Sequence, residues 1–356
     1  MFNLKDLARK NKAFVVYVRG AYTQDEYIFP GKSLVLTPKG SVILKAKAFE
    51  EDLAVVELAK VGDYTEDLAE KDATFQAGSF SELYEALVFA LRDYAEKTDF
   101  SSAILGLSGG IDSALVATIA VSALGKERVK ALFMPTILTS QGSREDAYFL
   151  SQNLGISLVE IPIQDIFDVY RKTLLGQSFL SYDITVADEN LQARIRANIL
   201  FYFSNRENSL VLCTSNKSES ATGYGTIYGD IAGGYAPIKD VYKTWVYELA
   251  RYRNSLGRVI PERILTKAPS AELRPGQKDE DALPPYAVLD AILRAHLEEG
   301  LMQDELIERG FPKEHVEKTF KMLASAEYKR RQSPPGPKVT KSTLGIDYKL
   351  PVVFKF

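Results

Sequence analysis

The chain has one cysteine and two histidines in 356 residues. A single cysteine excludes an internal disulfide framework and suits a reducing compartment, so a cytoplasmic location is expected. Two histidines exclude a multi-histidine metal centre. His296 ("RAHLEEG") and His315 ("KEHVEKT") both sit among charged residues of helical pattern, where solvated surface positions are expected. No apolar run reaches membrane-spanning length and no charged-then-apolar leader begins at Met1, so no membrane association is expected. The net charge of −3 lacks the basic excess of a nucleic-acid binder, and no nucleic-acid partner is expected. Asn216-Lys217-Ser218 fits the glycosylation pattern and is read as chance in a leaderless chain.

What is present is alternation. The first sixty or so residues carry short β-branched runs, "AFVVYVRG" (13–20), "KSLVLT" (32–37) and "SVILKAKA" (41–48). The turn "PKG" (38–40) marks the last two as a hairpin. Helical spacing begins at Ser79, where "SFSE" offers a capping box with Glu82, and Phe80, Leu83, Tyr84, Leu87, Val88 and Leu91 form one apolar face. Strands are predicted at 103–107, 129–135, 157–163 and 209–215, and helices at 112–124, 143–154 and 188–206. This is an α/β fold, a parallel sheet with helices on both faces. Ligands of such sheets lie at the carboxyl ends of the strands, where the loops Ser108–Ser113, Pro135–Gln141 and Ser215–Glu219 fall. A loop (267–284) and helices near 285–299, 302–309 and 313–330 follow, then a Pro/Gly/Lys tail.

The loop "LGLSGGIDSAL" (105–115) admits two chemistries. Gly106-Leu107-Ser108-Gly109-Gly110 matches G-x-S-x-G, the turn that exposes a hydrolase serine. That reading needs an earlier glycine-rich oxyanion loop and a histidine partner; no such loop precedes, and the two histidines lie in the helical tail. The other reading is a phosphate cradle. Ser108, Gly109 and Gly110 let backbone N–H groups turn inward, Ser113 adds a hydroxyl, and the following helix favours negative charge. Asp112 would repel a bare pyrophosphate, and fits such a loop if Mg²⁺ bridges carboxylate and phosphate. No Walker A pattern occurs in the chain.

"LGLSGGIDSAL" resembles the pyrophosphate loop of the N-type ATP pyrophosphatases. "ENLQARIRAN" (189–198), "TSNKSESATGYGTIYGDIAGGYAPIKDVYKT" (214–244), "PSAELRPGQKDEDALPPYAVLDAIL" (269–293) and "EYKRRQSPPGPK" (327–338) narrow the resemblance to the NAD synthetase family, closest to the synthetase half of the glutamine-dependent type. It covers residues 80 to 356 and implies an adenine nucleotide α-hydrolase-like, Rossmann-like domain over 79–356 with a helical C-terminal tail. The activity it implies is amidation of nicotinic acid adenine dinucleotide (deamido-NAD) with ATP and ammonia, through an acyl-adenylate, releasing pyrophosphate and AMP.

By the same resemblance, Gly106, Leu107, Ser108, Gly109, Gly110, Ile111, Asp112 and Ser113 hold the ATP phosphates, with Thr214, Lys243 and Ser270 also at the ATP site. Asp112 and Glu219 become Mg²⁺ ligands and, with Lys243, the catalytic set. Asn190, Arg194, Glu219 and Lys329 contact deamido-NAD. Each has a plainer alternative. Arg194 and Arg196 could be a solvated helix face, Glu219 a helix-start carboxylate, and Lys329-Arg330-Arg331 a surface charge run. Cys213 is read as strand core. Ile227 and Gly234 stand where ammonia-dependent members carry lysine and aspartate, which favours the glutamine-dependent branch.

Residues 1–65 look like the closing strands of a nitrilase-type glutaminase domain, whose family chemistry uses a Cys, Glu and Lys triad. Cys213 is the only cysteine and lies in the synthetase match, so this chain carries no glutaminase nucleophile. A fragment of a longer enzyme, with the glutaminase in cis, is the favoured reading over a separate glutaminase in trans or use of free ammonia. The family resemblance also implies a homodimer or larger homo-oligomer.

Overall fold

The four parallel strands that carry the site run in the order β8-β7-β6-β9, with β6 (Ser102–Gly106), β7 (Val129–Phe133), β8 (Ser157–Glu160) and β9 (Ser209–Val211). The computed structural model describes residues 4–58, 79–176 and 183–354. From β6 the chain crosses to β7 and then β8 on one side, and β9 returns to the other side of β6. The strand order therefore reverses between β6 and β9, and a crevice opens at their carboxyl ends. Ala103, Ile104 and Leu105 of β6 are fully buried, which gives that crevice a rigid floor.

Helix α3 (Ile111–Leu124) follows β6 directly. It is apolar on nearly every side and correspondingly sunk into the core, as a helix without a polar face must be. The helix Phe80–Lys97 (α2) covers it. Tyr84 and Ser122 share a hydrogen bond of 2.9 Å, and Tyr84, Leu87, Val88 and Leu91 are buried as their spacing predicts. Ser79 caps α2 by accepting from the Glu82 N–H at 3.2 Å, while the Glu82 side chain pairs with Lys32. The opposite face of the sheet is closed by Phe167 of α5 (Gln164–Leu175) and Ile195 of α6 (Val186–Glu207), which pack with Ile104, Leu132 and Val211.

The amino-terminal segment forms two small antiparallel sheets. Strands β1 (Val15–Tyr17), β4 (Leu34–Leu36) and β5 (Val42–Lys45) make one, with β4–β5 the expected hairpin. β2 (Ala21–Gln24) and β3 (Tyr27–Pro30) make the other, and a helix, α1 (Leu4–Asn11), precedes them. This segment is tied to the main body by Thr23 on Asp93 and by Lys239 on Glu26 at 3.1 Å. The end of the expected 1–65 segment, from 59 on, lies outside the described residues.

Four expectations are corrected. His296 is not a surface residue: only 8% exposed, it contacts the Leu301 carbonyl through Nδ1 at 2.7 Å and the Tyr348 hydroxyl through Nε2 at 3.0 Å. Its amphipathic helix, α10 (Tyr286–Glu299), turns that position inward, and burial holds the imidazole below its usual range. Residues 217–222 are a helical turn, α7 (Lys217–Thr222), rather than loop. Helices α8 (Lys243–Ser255) and α9 (Glu262–Thr266) were not anticipated, and α5 replaces an unassigned stretch. The tail helix divides into α12 (Lys313–Ser325) and α13 (Glu327–Arg330), after α11 (Gln303–Glu308). The plainer alternative of a surface charge run does not hold for Arg330, which is 6% exposed and donates to the Ala221 carbonyl at 2.9 Å, fastening the tail to α7. No helix among the described residues is long and apolar enough to cross a membrane.

Candidate active site

The loop after β6 is shaped by one glycine and two hydroxyls. Gly109 has a φ of +78°, and a Cβ there would lie 2.3 Å from the Ser143 carbonyl oxygen, so conformation and space both demand glycine. Ser113 Oγ accepts from the Ser108 N–H at 3.2 Å and donates to the Gly110 carbonyl at 3.1 Å. Ser108 Oγ accepts from the Gly110 N–H at 3.2 Å. The loop is thereby closed on itself ahead of the amino end of α3, a favourable place for an anion.

Asp112, in the first turn of α3, faces the segment after β9. Asn216 donates from Nδ2 to Asp112 Oδ1 at 2.8 Å and caps α7 by accepting from the Glu219 N–H at 3.0 Å. Glu219 returns the contact, accepting from the Asn216 N–H at 3.3 Å. This capping box fixes the Glu219 carboxylate beside Asp112. Lys243, the first residue of α8, lies between them, 2.5 Å from Asp112 and 3.3 Å from Glu219. Its ammonium is almost fully enclosed, 5.1 Å from the ring centre of Tyr286. The Lys243 backbone is set by Ser218 Oγ at 2.9 Å, and Ser218 in turn rests on Asp290.

The electrostatics follow from that enclosure. Burial, reinforced by Asp112 and opposed by Lys243, pushes the Glu219 carboxyl up to about 8. Burial alone would lower Lys243, but Asp112 and Glu219 outweigh it and raise the ammonium above its ordinary value. Asp279 is raised chiefly by burial, and is held by the hydroxyls of Tyr286 at 2.9 Å and Tyr224 at 3.2 Å.

The expected metal ligands Asp112 and Glu219 are two hard oxygen donors of the kind Mg²⁺ takes, and in this chain the Lys243 ammonium stands between them. No group of three or more such side chains occurs among the described residues, so the rest of a coordination shell would be phosphate or water.

Of the four expected dinucleotide residues, Glu219 belongs to the cluster and the other three meet at a loop. Asn190 Oδ1 accepts from Thr226 Oγ1 at 2.7 Å, and Arg194 Nε donates to the Ile227 carbonyl at 3.2 Å. Lys329 donates to the Gly223 and Gly225 carbonyls, both at 2.7 Å. All three therefore hold one loop, residues 223–227, which starts at the Gly223 cap of α7 and so connects to Glu219. Lys329 and Glu219 line the same cavity.

Other expected residues stand apart. The Ser270 hydroxyl donates to Gln277 within its own loop at 2.6 Å and does not join the cluster. Thr214 is half-buried, two residues before Asn216. Cys213 is core as expected, its thiol pushed up to about 12 by burial. Asn216 is the site residue that the sequence reading leaves out. It is fully buried, and the signal that could have placed it was the N-x-x-E capping pattern in "NKSE".

Comparison with known proteins bears on the family and the fold. The family model described as NAD synthase matches residues 83–333. The chain belongs to the NAD synthase family. Glutamine-dependent NAD(+) synthetase of Aquifex aeolicus is 49% identical over 99% of this chain and 67% of its own length. The structure of glutamine-dependent NAD+ synthetase from Acinetobacter baumannii with ADP superposes with a TM-score of 0.67 at 42% identity, covering 98% of this chain and 63% of that one. The NH3-dependent NAD synthetase of Campylobacter jejuni aligns at 32% identity and a TM-score of 0.58, over 72% of this chain and 98% of that one. The chain thus spans about two thirds of the glutamine-dependent relatives and nearly the whole of the ammonia-dependent one.

Proposed function

We propose that this chain converts nicotinic acid adenine dinucleotide to NAD with ATP and ammonia. The observation that carries the reading is the Asp112–Lys243–Glu219 cluster at the strand-order reversal, beside a closed phosphate loop. A carboxylate is a poor electrophile, so amidation needs activation. The nicotinate carboxylate oxygen attacks the α-phosphorus of ATP and pyrophosphate leaves. Ammonia then adds to the acyl carbon, and AMP departs with that oxygen.

In this reading the Ser108–Ser113 loop and Lys243 neutralise the charge that gathers on the departing pyrophosphate. Asp112 and Glu219 hold Mg²⁺, which when bound supplies charge neutralisation on the phosphates. Asn190, Arg194 and Lys329 shape the 223–227 loop against the dinucleotide. Thr214 and Ser270 belong to the nucleotide side, Ser270 after its loop has rearranged. We further propose that residues 1–65 belong to a glutaminase unit that supplies ammonia in the longer relatives, that the protein acts in the cytoplasm, and that it pairs as a homodimer or larger assembly.

The test is product analysis. Purified chain supplied with ATP, Mg²⁺, deamido-NAD and ammonium should release AMP and pyrophosphate in step with NAD. Folded protein that binds ATP yet forms no NAD at saturating ammonium would overturn the proposal.

A further inference from the structure

Arg196 is two residues beyond Arg194 on α6, about 200° around the helix axis, so the two point to opposite sides. Arg194 reaches the 223–227 loop and is exposed. Arg196 turns inward, and its Nε donates to the Met134 carbonyl at 3.0 Å, at the carboxyl end of β7. Its two amino groups make no hydrogen bond, and no carboxylate lies within ion-pair distance of it, among the described residues. The two nearest acids act on it only from further away and are engaged elsewhere. Asp230 accepts from the Thr226 N–H at 2.6 Å, and Glu272 is taken by Lys267 at 2.7 Å with Ser140 and Ser143. Burial pulls the guanidinium down to about 10, so leaving this cation unpaired is unfavourable in the ligand-free chain.

The surroundings of Arg196 belong to the phosphate side. The Met134 methyl lies 3.5 Å from where a Cβ of Gly106 would stand, at the start of the pyrophosphate loop. The carbonyl of Ser143, the serine that binds Glu272, is the group Gly109 must avoid. One turn earlier on the same face of α6, Gln192 is fully buried; its Nε2 donates to the Leu273 carbonyl at 3.2 Å and its Oε1 has no partner among the described residues. A buried acceptor without a partner thus lies one helical turn from a guanidinium whose two amino groups make no hydrogen bond among the described residues.

We propose that Arg196 is a nucleotide-binding residue, whose free guanidinium edge takes a phosphate oxygen of ATP. The inference rests on the ATP-dependent reading above. It makes α6 a divider: Arg194 serves the dinucleotide on one side and Arg196 the ATP phosphates on the other.

Binding can be read without turnover, by calorimetric titration of wild type, Arg196→Gln and Arg196→Lys with Mg²⁺·ATP, with inorganic pyrophosphate and with deamido-NAD. R196Q should bind ATP and pyrophosphate at least tenfold more weakly and deamido-NAD within twofold of wild type. R196K should recover part of the loss. Wild-type affinity of R196Q for ATP and pyrophosphate would overturn the inference, as would a loss confined to deamido-NAD. So would equal losses for all three ligands with an early-melting protein, which would make Arg196 a framework residue tying α6 to β7. Failure of wild type to form NAD would instead strike the proposed function and leave the Arg196 titration interpretable.

Discussion

Asp112, Glu219 and Lys243 meet as charges carried on the first turns of three helices, whereas Asn190, Arg194 and Lys329 meet through the backbone of a single loop. The first set is built in place. Its geometry is inherited from β6, β9 and the capping box, and no main-chain rearrangement is needed to bring the charges together. The second set spends its donors and acceptors on Thr226, Ile227, Gly223 and Gly225, so a ligand there gains only what the loop gives up. The comparison teaches that the Asp112–Lys243–Glu219 set is arranged by electrostatics and the Asn190–Arg194–Lys329 set by hydrogen bonds that can be exchanged, which the proposed function reads as a phosphate end and a dinucleotide end.

The largest expected effect comes from removing a charge at the rigid end. Asp112→Asn should lower NAD formation by about 10³-fold, the scale of losing a fixed electrostatic contact, in protein that still folds but melts earlier because Lys243 loses its partner. Lys243→Met should cost a comparable factor and about 3 kcal/mol of stability in urea unfolding, since it strips a buried ion pair of one partner. Asn216→Ala, which touches no reacting group but holds Asp112 to Glu219, should cost about 10- to 100-fold in activity. An Asn216→Ala enzyme of full activity would show that the cluster needs no brace.

At the exchangeable end, Lys329→Ala should raise KM for deamido-NAD about tenfold while leaving the affinity for ATP within twofold, because a single charge-assisted contact is worth about 1.5–3 kcal/mol at most. Equal losses for both ligands would erase the distinction between the two ends.

A smaller effect separates them by pH. The Glu219 carboxyl is up to about 8 in the folded chain and near its ordinary value of 4.5 when unfolded. The folded state then binds the extra proton between these values, so stability contributed by protonated Glu219 is full below 4.5 and is lost as pH rises toward 8. Glu219→Gln should therefore gain stability relative to wild type across that window, measured without Mg²⁺. A pH-independent difference would contradict the assignment.

Much of this was legible in sequence, for identifiable reasons. Short apolar strands between helices determine a parallel sheet, and "SGGIDS" falls at the turn between its first strand and the following helix, where the sequence places it. Asp112 stood out because an acid is anomalous in an anion cradle. Asn216 did not, because its role as N-cap and bridge depends on β9 lying beside β6, a neighbour relation that no local pattern reveals. Helix α8 carried a readable signal in Val246, Leu249 and Ala250, buried at helical spacing. His296 misled because Arg294 and Glu299 beside it are exposed while its ring faces Phe320 and Tyr348. The inward turn of Arg196 was hidden for the same reason, since neighbouring charges on a helix do not share a face.

The most direct test of the charged cluster is isotope exchange without ammonia. Labelled pyrophosphate should enter ATP only when deamido-NAD and Mg²⁺ are present, because exchange reports reversible adenylation of the nicotinate carboxylate. Wild type should exchange, and folded Asp112→Asn and Lys243→Met should fall to background. Undiminished exchange in either variant would contradict the claim that Asp112, Lys243 and Glu219 form the centre of ATP chemistry.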